Sequence, residues 1–142
     1  MTKRFAPGAT EVISHRRRPI SAEDVLRLYR VEGWWPERSA DDVRAVLDRA
    51  PSVGAWEGQA LVGFARAVTD GRFRAYIEDV VVEKSHRRRG IASHMLLALA
   101  EELSSVDLIT LFCANDLVPV YESIGFERTS QVVLHAKTLR RR

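Results

Sequence analysis

An apolar run that leads into a basic, glycine-containing segment and then into a helical pattern constrains the fold of this chain most. The run is 80–82, three valines, and the segment is 87–90, Arg-Arg-Arg-Gly. Apolar residues then recur at three- and four-residue steps over 93–103, which predicts a helix. A second apolar run follows at 108–114. Strand, helix and strand in this order predict two parallel strands joined by the helix.

The remaining elements are predicted from caps, turns and periodicity. Ser21 and Ser39 are typical N-caps and each precedes an amphipathic helical pattern, the second ending near Arg49. The other predicted elements are strands at 10–14, 52–58, 60–70, 74–83, 108–114 and 128–139 and a short helix at 117–125. We expect an α/β fold with a mixed, mostly antiparallel central sheet, one parallel strand pair and helices on both faces.

Length and charge limit the organisation of the chain. Its 142 residues fit a single domain, 1–142. The net charge is +3, and residues 1–18 and 137–142 carry +4 each, so the stretch between them carries −5. We therefore interpret 1–9 and 139–142 as flexible basic ends. A basic folded face for nucleic acid is not expected, because the excess positive charge is concentrated at the ends.

Four further features are disfavoured by the sequence. No run approaches the ~18 apolar residues of a membrane helix, and the polar, basic N-terminus does not resemble a signal peptide. The single cysteine, Cys113, excludes an internal disulfide framework and a zinc site built from several cysteines. We expect a cytoplasmic protein with no membrane contact and no metal, and we expect Cys113 to be a small buried residue at a strand end.

The arginine segment has three interpretations. It could be a solvated charge cluster, a nucleic-acid patch or a cradle for a small phosphate ligand. A helix N-terminus presents unpaired amides and a partial positive charge, which suits a phosphate. Gly90 and Ala92 would allow close approach of the backbone, and arginines would add charge-assisted hydrogen bonds. The segment is short, so it does not decide among the three by itself.

Two sequence blocks carry a resemblance to a known family. The segment 87–92, Arg-Arg-Arg-Gly-Ile-Ala, resembles the acetyl-CoA motif of GNAT-superfamily N-acetyltransferases, Gln/Arg-x-x-Gly-x-Gly/Ala, which follows a strand and opens a helix. The block NDLVPVYESIGFE resembles the family's later motif, with Asn115, Tyr121 and Gly125-Phe126. The resemblance extends over about 11–138. Alanine replaces the commoner glycine at the last motif position, which the family pattern allows.

The resemblance implies an acetyl-CoA site. The backbone of the three valines would pair with the pantetheine arm like an added strand, the amides from Arg88 to Ser93 would hold the pyrophosphate, and Asn115 would touch the cofactor arm. The cofactor-binding residues implied in this way are Val80, Val81, Val82, Arg87, Arg88, Arg89, Gly90, Ile91, Ala92, Ser93 and Asn115.

The resemblance also implies catalytic roles. Tyr121 would protonate the leaving thiolate, and Glu78 would take a proton from the incoming ammonium. Asp79 alternates with Glu78 on the strand and is expected on the opposite face. The implied reaction is direct transfer, in a ternary complex, to a primary amine of a small molecule or a peptide. A non-catalytic acyl-CoA sensor is the alternative function, and a homodimer through the last strand stays open.

The acceptor side is less defined by the sequence. Trp34 and Trp35 fall in the loop between the first two helices, which walls the acceptor pocket in this family, so an apolar or aromatic amine is one option. Core packing or a dimer contact would explain the two tryptophans equally well. His135 on the last predicted strand is a further candidate for the acceptor site.

Overall fold

The computed structural model of the chain describes residues 3–4 and 10–137. One six-stranded sheet has the strand order β1-β2-β3-β4-β5-β6. Neighbouring strands are antiparallel except β5 and β6, which are parallel. The elements are β1 Lys3–Arg4, β2 Glu11–Ser14, α1 Ala22–Glu32, α2 Ala40–Arg49, β3 Ser52–Glu57, β4 Ala60–Thr69, β5 Arg74–Val82, α3 Ile91–Glu102, β6 Leu108–Leu111 and α4 Val118–Glu122.

The predicted caps form as expected. The Ser21 side chain accepts a hydrogen bond from the Asp24 amide, and Ser39 and Asp42 make reciprocal side-chain-to-amide bonds at the start of α2. Helix α1 ends at Gly33, whose φ of 73° is the left-handed conformation that favours glycine. These local signals fix the bounds of both helices and so place the short loop between them.

Helices cover both faces of the sheet, as the sequence predicted. Helices α1 and α2 pack on one face, where Tyr29 and Phe64 are fully buried. Helix α3 packs on the other face, where Met95 and Leu99 are fully buried. Burying these apolar side chains is the main favourable contribution to the free energy of folding. The sheet therefore lies between two apolar layers.

Strand β5 departs from regular pairing in a way that creates an opening. The register with β4 shifts between Phe64 and Arg66, so Asp79 and Val80 face the single residue Ala65 in a β-bulge. Asp79 has a φ of 57°, which is left-handed. On its other edge β5 pairs with β6 only through Arg74–Ile77. Among the described strands, the rest of that edge of β5 is unpaired, and the two parallel strands part there.

Three sequence predictions are corrected. The last strand, 128–139, does not form over 128–137, and its final two residues lie outside the described residues. Val132 and Leu134 are 85% and 89% exposed, so this segment buries too little apolar surface to offset the entropy of ordering it. The run 108–114 yields only β6, and Leu108 is exposed rather than buried. Helix α3 begins at Ile91, two residues earlier than predicted.

The predicted basic ends are described only in part. Lys3 and Arg4 form β1 against β2, and residues 1–2, 5–9 and 138–142 lie outside the described residues. The expectation that these ends are flexible stays a prediction. Over the described part of the chain, no helix is long and apolar enough to cross a membrane.

Candidate active site

A cleft of about 850 Å³ opens where β5 and β6 part. The bulge of β5, the end of β6, helix α4 and the loop after α1 all contribute to it. The lining residues are Gly33, Trp34, Trp35, Tyr76, Ile77, Glu78, Asp79, Val80, Leu111, Phe112, Cys113, Leu117, Tyr121, Val133 and His135. Both predicted catalytic residues, Glu78 and Tyr121, therefore face the same cavity.

The open edge of β5 presents backbone groups to the cleft. The Glu83 amide donates to the Val62 carbonyl of β4 at 2.8 Å. Because successive amides of a strand point to opposite edges, the Val82 amide points away from β4, toward the opening. Val80 lines the cleft directly. This edge can pair with an extended ligand arm in the manner of an added strand.

The N-terminus of α3 lies just beyond this edge. Gly90 is its N-cap, with a φ of 77°, and no side chain of residues 10–137 caps the helix there. Its first turn also holds no acidic residue, whereas α1 and α2 each have a serine cap and two acidic residues in the first turn. Among the described residues, a Cβ at Gly90 would meet only the His94 ring, at 3.8 Å, so the backbone there leaves space for a ligand.

The three arginines before Gly90 do not form a uniform patch. Arg87 donates from Nε to the Val82 carbonyl at 2.9 Å and pairs with the Glu32 carboxylate. Arg89 donates to the Ser85 carbonyl at 3.2 Å. Arg88 is exposed and has a φ of 65°. Two of the three guanidinium groups thus bind the protein itself, and they shape the loop that leads into α3.

Tyr121 is on α4 and is half-buried. Its ring packs edge-on against Phe126, with centroids 6.2 Å apart. Burial raises the pKa of the Tyr121 phenol, and the nearby Cys113 thiol adds to that effect. The phenol is therefore protonated at neutral pH and can donate a proton. Cys113 itself is exposed and lines the cleft, which corrects the expectation of a buried residue, because β6 ends two residues before it.

Glu78 is held by two donors. Arg66 pairs with one carboxylate oxygen, and the Tyr76 hydroxyl donates to the other at 3.1 Å. Burial, followed by the charge of Glu78, raises the pKa of Tyr76 to about 12. The Tyr76 ring in turn packs on Phe112, with centroids 4.9 Å apart. The carboxylate is thus fixed in orientation while it still faces the cleft.

Asp79 does not point to the opposite face, as strand alternation predicted. It lines the cleft together with Glu78, and its carboxylate accepts from Arg66 Nε at 2.8 Å. The cause is the bulge, because an extra residue in β5 with a left-handed φ interrupts the alternation of side chains. The Asp79 side chain is 2% exposed. Burial raises its pKa, but hydrogen bonds from Tyr29 and Arg66 more than offset that, so the pKa lies below its ordinary value.

The remaining predicted residues are distributed as follows. Trp34, Trp35 and His135 line the cleft, and Trp34 also packs against the apolar core on the α1–α2 face. Asn115 is not among the described lining residues, and its side-chain oxygen lies 3.4 Å from two guanidinium nitrogens of Arg128. Over residues 3–4 and 10–137, no cluster of three or more histidine, cysteine or acidic side chains could hold a metal ion.

Sequence reasoning missed Arg66 and Tyr76, which hold the Glu78 carboxylate. One signal could have indicated Arg66. Arg66 is the single charged residue inside the otherwise apolar strand β4, and a buried guanidinium requires a carboxylate partner. Tyr76 has no such signal, because an aromatic residue on a strand is ordinary.

The sequence pattern of the Acetyltransferase (GNAT) family matches residues 19–126. This chain belongs to that family. The matched range begins before α1 and ends just after α4, so it includes the open edge of β5, the N-terminus of α3 and both candidate catalytic residues. The parted β5 and β6 strands and the uncapped α3 are thus features of a GNAT domain.

Individual relatives agree with this assignment. An uncharacterized N-acetyltransferase, ycf52, from Pyropia yezoensis is 38% identical over 119 residues, covering 75% of this chain and 68% of its own. The probable acetyltransferase TAP2 from Glycine max is 30% identical over 107 residues, and the match covers 66% of this chain but only 43% of the soybean protein. The crystal structure of an acetyltransferase candidate from Deinococcus radiodurans has a TM-score of 0.76 at 26% identity, covering 95% and 93% of the two chains.

Proposed function

We propose that this GNAT domain transfers an acetyl group from acetyl-CoA to a primary amine of a small molecule or a peptide, directly and within a ternary complex. One observation carries the proposal. The edge of β5 that is not paired with β6 is followed along the chain by the N-terminus of α3, which no side chain of the described residues caps. The base and acid candidates Glu78 and Tyr121 face the cleft beside that edge.

The residues present fit the cofactor. The backbone of Val80 and Val82 would pair with the pantetheine arm, and the first-turn amides of α3 would bind the pyrophosphate, where the helix dipole favours negative charge. Gly90 leaves room for that approach, since a Cβ there would meet no atom of residues 10–137 closer than 3.8 Å. Arg88 is exposed beside these amides and can add a charge-assisted hydrogen bond. Bound acetyl-CoA would supply the acetyl thioester.

Two proton transfers are assigned to this chain's side chains. Glu78 takes a proton from the ammonium group, directly or through water, and leaves a neutral amine. The amine nitrogen forms a bond to the acetyl carbon as the carbon–sulfur bond breaks, and the acylated nitrogen then releases its extra proton to solvent. Tyr121 gives its proton to the departing sulfur and regains one from solvent. An amide on the open edge of β5, Val82 or a neighbour, stabilises the negative charge on the acetyl oxygen.

A panel assay tests this proposal. The protein is mixed with acetyl-CoA and, in turn, with 2-phenylethylamine, spermidine and a lysine-containing peptide, and the released CoA thiol is measured. We expect amine-dependent thiol release with at least one acceptor class. Saturable acetyl-CoA binding with no turnover across a broad amine panel would instead favour a non-catalytic acyl-CoA sensor.

Replacing Glu78 with glutamine is expected to lower kcat about 100-fold near neutral pH, because the amide cannot accept the ammonium proton. The ratio of wild-type kcat to variant kcat should decrease as the pH rises toward the pKa of the acceptor amine, because more of the amine is then already unprotonated in solution. The measurement is a kcat–pH profile of both proteins. Glu101→Gln, an exposed change on α3, is the matched control, and an equal loss in the two variants would exclude Glu78 as the base.

A further inference from the structure

The loop between α1 and α2, residues 33–39, forms one wall of the cleft but has no helix or strand of its own. Trp35 within it has a φ of 50°, a left-handed conformation that a bulky residue rarely adopts. Such a conformation persists only where surrounding contacts enforce it. The contacts that enforce it therefore decide the shape of this wall.

Those contacts converge on one buried carboxylate. Asp79, which is itself left-handed at the β-bulge, accepts four hydrogen bonds from three parts of the fold. The donors are Tyr29 Oη of α1 at 2.7 Å, Trp35 Nε1 of the loop at 3.1 Å, Arg38 Nη1 of the loop at 3.0 Å and Arg66 Nε of β4 at 2.8 Å. Two strained residues, one in the loop and one in β5, thus hold each other in place.

Arg38 connects to both members of this pair. Its guanidinium lies over the Trp35 ring, 4.2 Å from the centroid, while Nη1 donates to Asp79. Its backbone amide also donates to the Trp35 carbonyl at 3.0 Å. Arg38 itself lines a separate cavity of about 290 Å³ between the two helices and the sheet, and it is not among the described residues of the cleft. Any effect of Arg38 on the cleft must act through Trp35 and Asp79.

We propose that Arg38 is a positioning residue. By joining the Trp35 indole to the Asp79 carboxylate, it fixes loop 33–39 as a preformed wall that holds the acceptor amine beside Glu78. The inference rests on the proposed function, because it assumes that the loop side of the cleft receives the acceptor while the α3 side receives acetyl-CoA. A preformed wall lowers the entropy cost of binding the acceptor.

The test is Arg38→Ala with two kinds of measurement. Hydrogen exchange of the ligand-free protein should become faster in segment 33–39 and stay unchanged in α3. Kinetics are measured with the acceptor that wild type acetylates among 2-phenylethylamine, spermidine and the lysine peptide. The KM for that amine should rise about tenfold, while the KM for acetyl-CoA should stay within about twofold. A lysine at this position keeps the charge but not the planar group, so Arg38→Lys should restore only part of the amine affinity.

Two further variants separate positioning from general destabilisation. Trp35→Phe keeps a ring under Arg38 but removes the donor to Asp79, so it should reproduce the exchange and KM effects in weaker form. Arg44→Ala is the matched control, because Arg44 also bridges α1 and α2, with contacts of 3.0 Å to Glu23 and 2.7 Å to Asp41, yet lies outside the cleft. It should change neither loop exchange nor the amine KM.

The outcomes are distinct. Unchanged exchange of segment 33–39 in Arg38→Ala would overturn the positioning role. So would an equal rise of the KM for amine and acetyl-CoA, because a wall of the acceptor side cannot act on both alike. If wild type acetylates no amine, the proposed function fails, and the exchange measurement still decides whether Arg38 orders this wall.

Discussion

Replacing Tyr121 with phenylalanine is expected to lower kcat by about two orders of magnitude or more. The substitution removes only the hydroxyl that would protonate the departing sulfur, and a thiolate is a poorer leaving group without a positioned acid. The ring should keep its edge-on packing against Phe126, at a centroid distance of 6.2 Å. The fold and the acetyl-CoA site should therefore be unaffected.

Steady-state kinetics and calorimetry on the same preparation check this result. The kcat with the best acceptor should decrease, while the Kd for acetyl-CoA and the melting temperature should match wild type. This acetyl-CoA Kd is the internal control. If kcat is unchanged, Tyr121 is not the acid.

Replacing Arg66 with methionine is expected to lower the free energy of unfolding by about 3 kcal/mol or more. The Arg66 side chain is 10% exposed and neutralises two carboxylates, Glu78 and Asp79. Methionine would fill much of the same space but leave both carboxylates facing the cleft with like charges and one donor fewer each. A buried carboxylate that loses its partner carries the full cost of desolvation.

Urea unfolding of the two proteins measures this loss, and Arg44→Met is the matched control. Arg44 also makes two ion pairs, but it is exposed, so its removal should change stability far less. Equal losses in the two variants would contradict the account of a buried charge network at the cleft.

The difference in the free energy of unfolding between wild type and Arg66→Met is expected to depend on pH. The pKa of Asp79 lies below its ordinary 3.8, so its ionised form contributes stability that is present above that value and is lost as the pH falls through the depressed pKa. Arg66 is one of the groups that depresses it. The stability difference between wild type and Arg66→Met should therefore shrink as the pH is lowered below about 4.

Much of the fold was predictable because its signals are local. Serine caps, turn glycines and apolar periodicity fixed α1, α2 and the three central strands, and the run from the valines through Gly90 predicted the parallel pair. The last predicted strand failed because a strand also needs a partner edge and a surface to cover. Residues 128–137 contain the apolar run 132–134, but Val132 and Leu134 stay exposed.

The candidate site was predictable only where backbone geometry follows from sequence. The amides at the start of α3 are available because a strand, a glycine and a helix follow one another along the chain. Each of these three can be recognised from residue types. The bulge at Asp79 cannot be, because it arises from a register shift between β4 and β5 that neither strand specifies alone. Strand alternation therefore placed Asp79 on the wrong face, and the network that joins it to Arg38 and Trp35 stayed hidden.

Calorimetric titration of acetyl-CoA into wild type, Gly90→Leu and Gly71→Leu tests the central claim most directly. Gly90 and Gly71 both have a φ of 77°, and a Cβ added at either would meet no atom of the described residues closer than 3.8 Å, so both substitutions place a side chain in the left-handed region without a clash at the Cβ. Only Gly90 lies at the N-terminus of α3. We predict saturable binding to wild type and Gly71→Leu and at least about tenfold weaker binding to Gly90→Leu. Equal affinity in all three proteins, or no binding to wild type, would contradict the assignment of the α3 N-terminus as the pyrophosphate site.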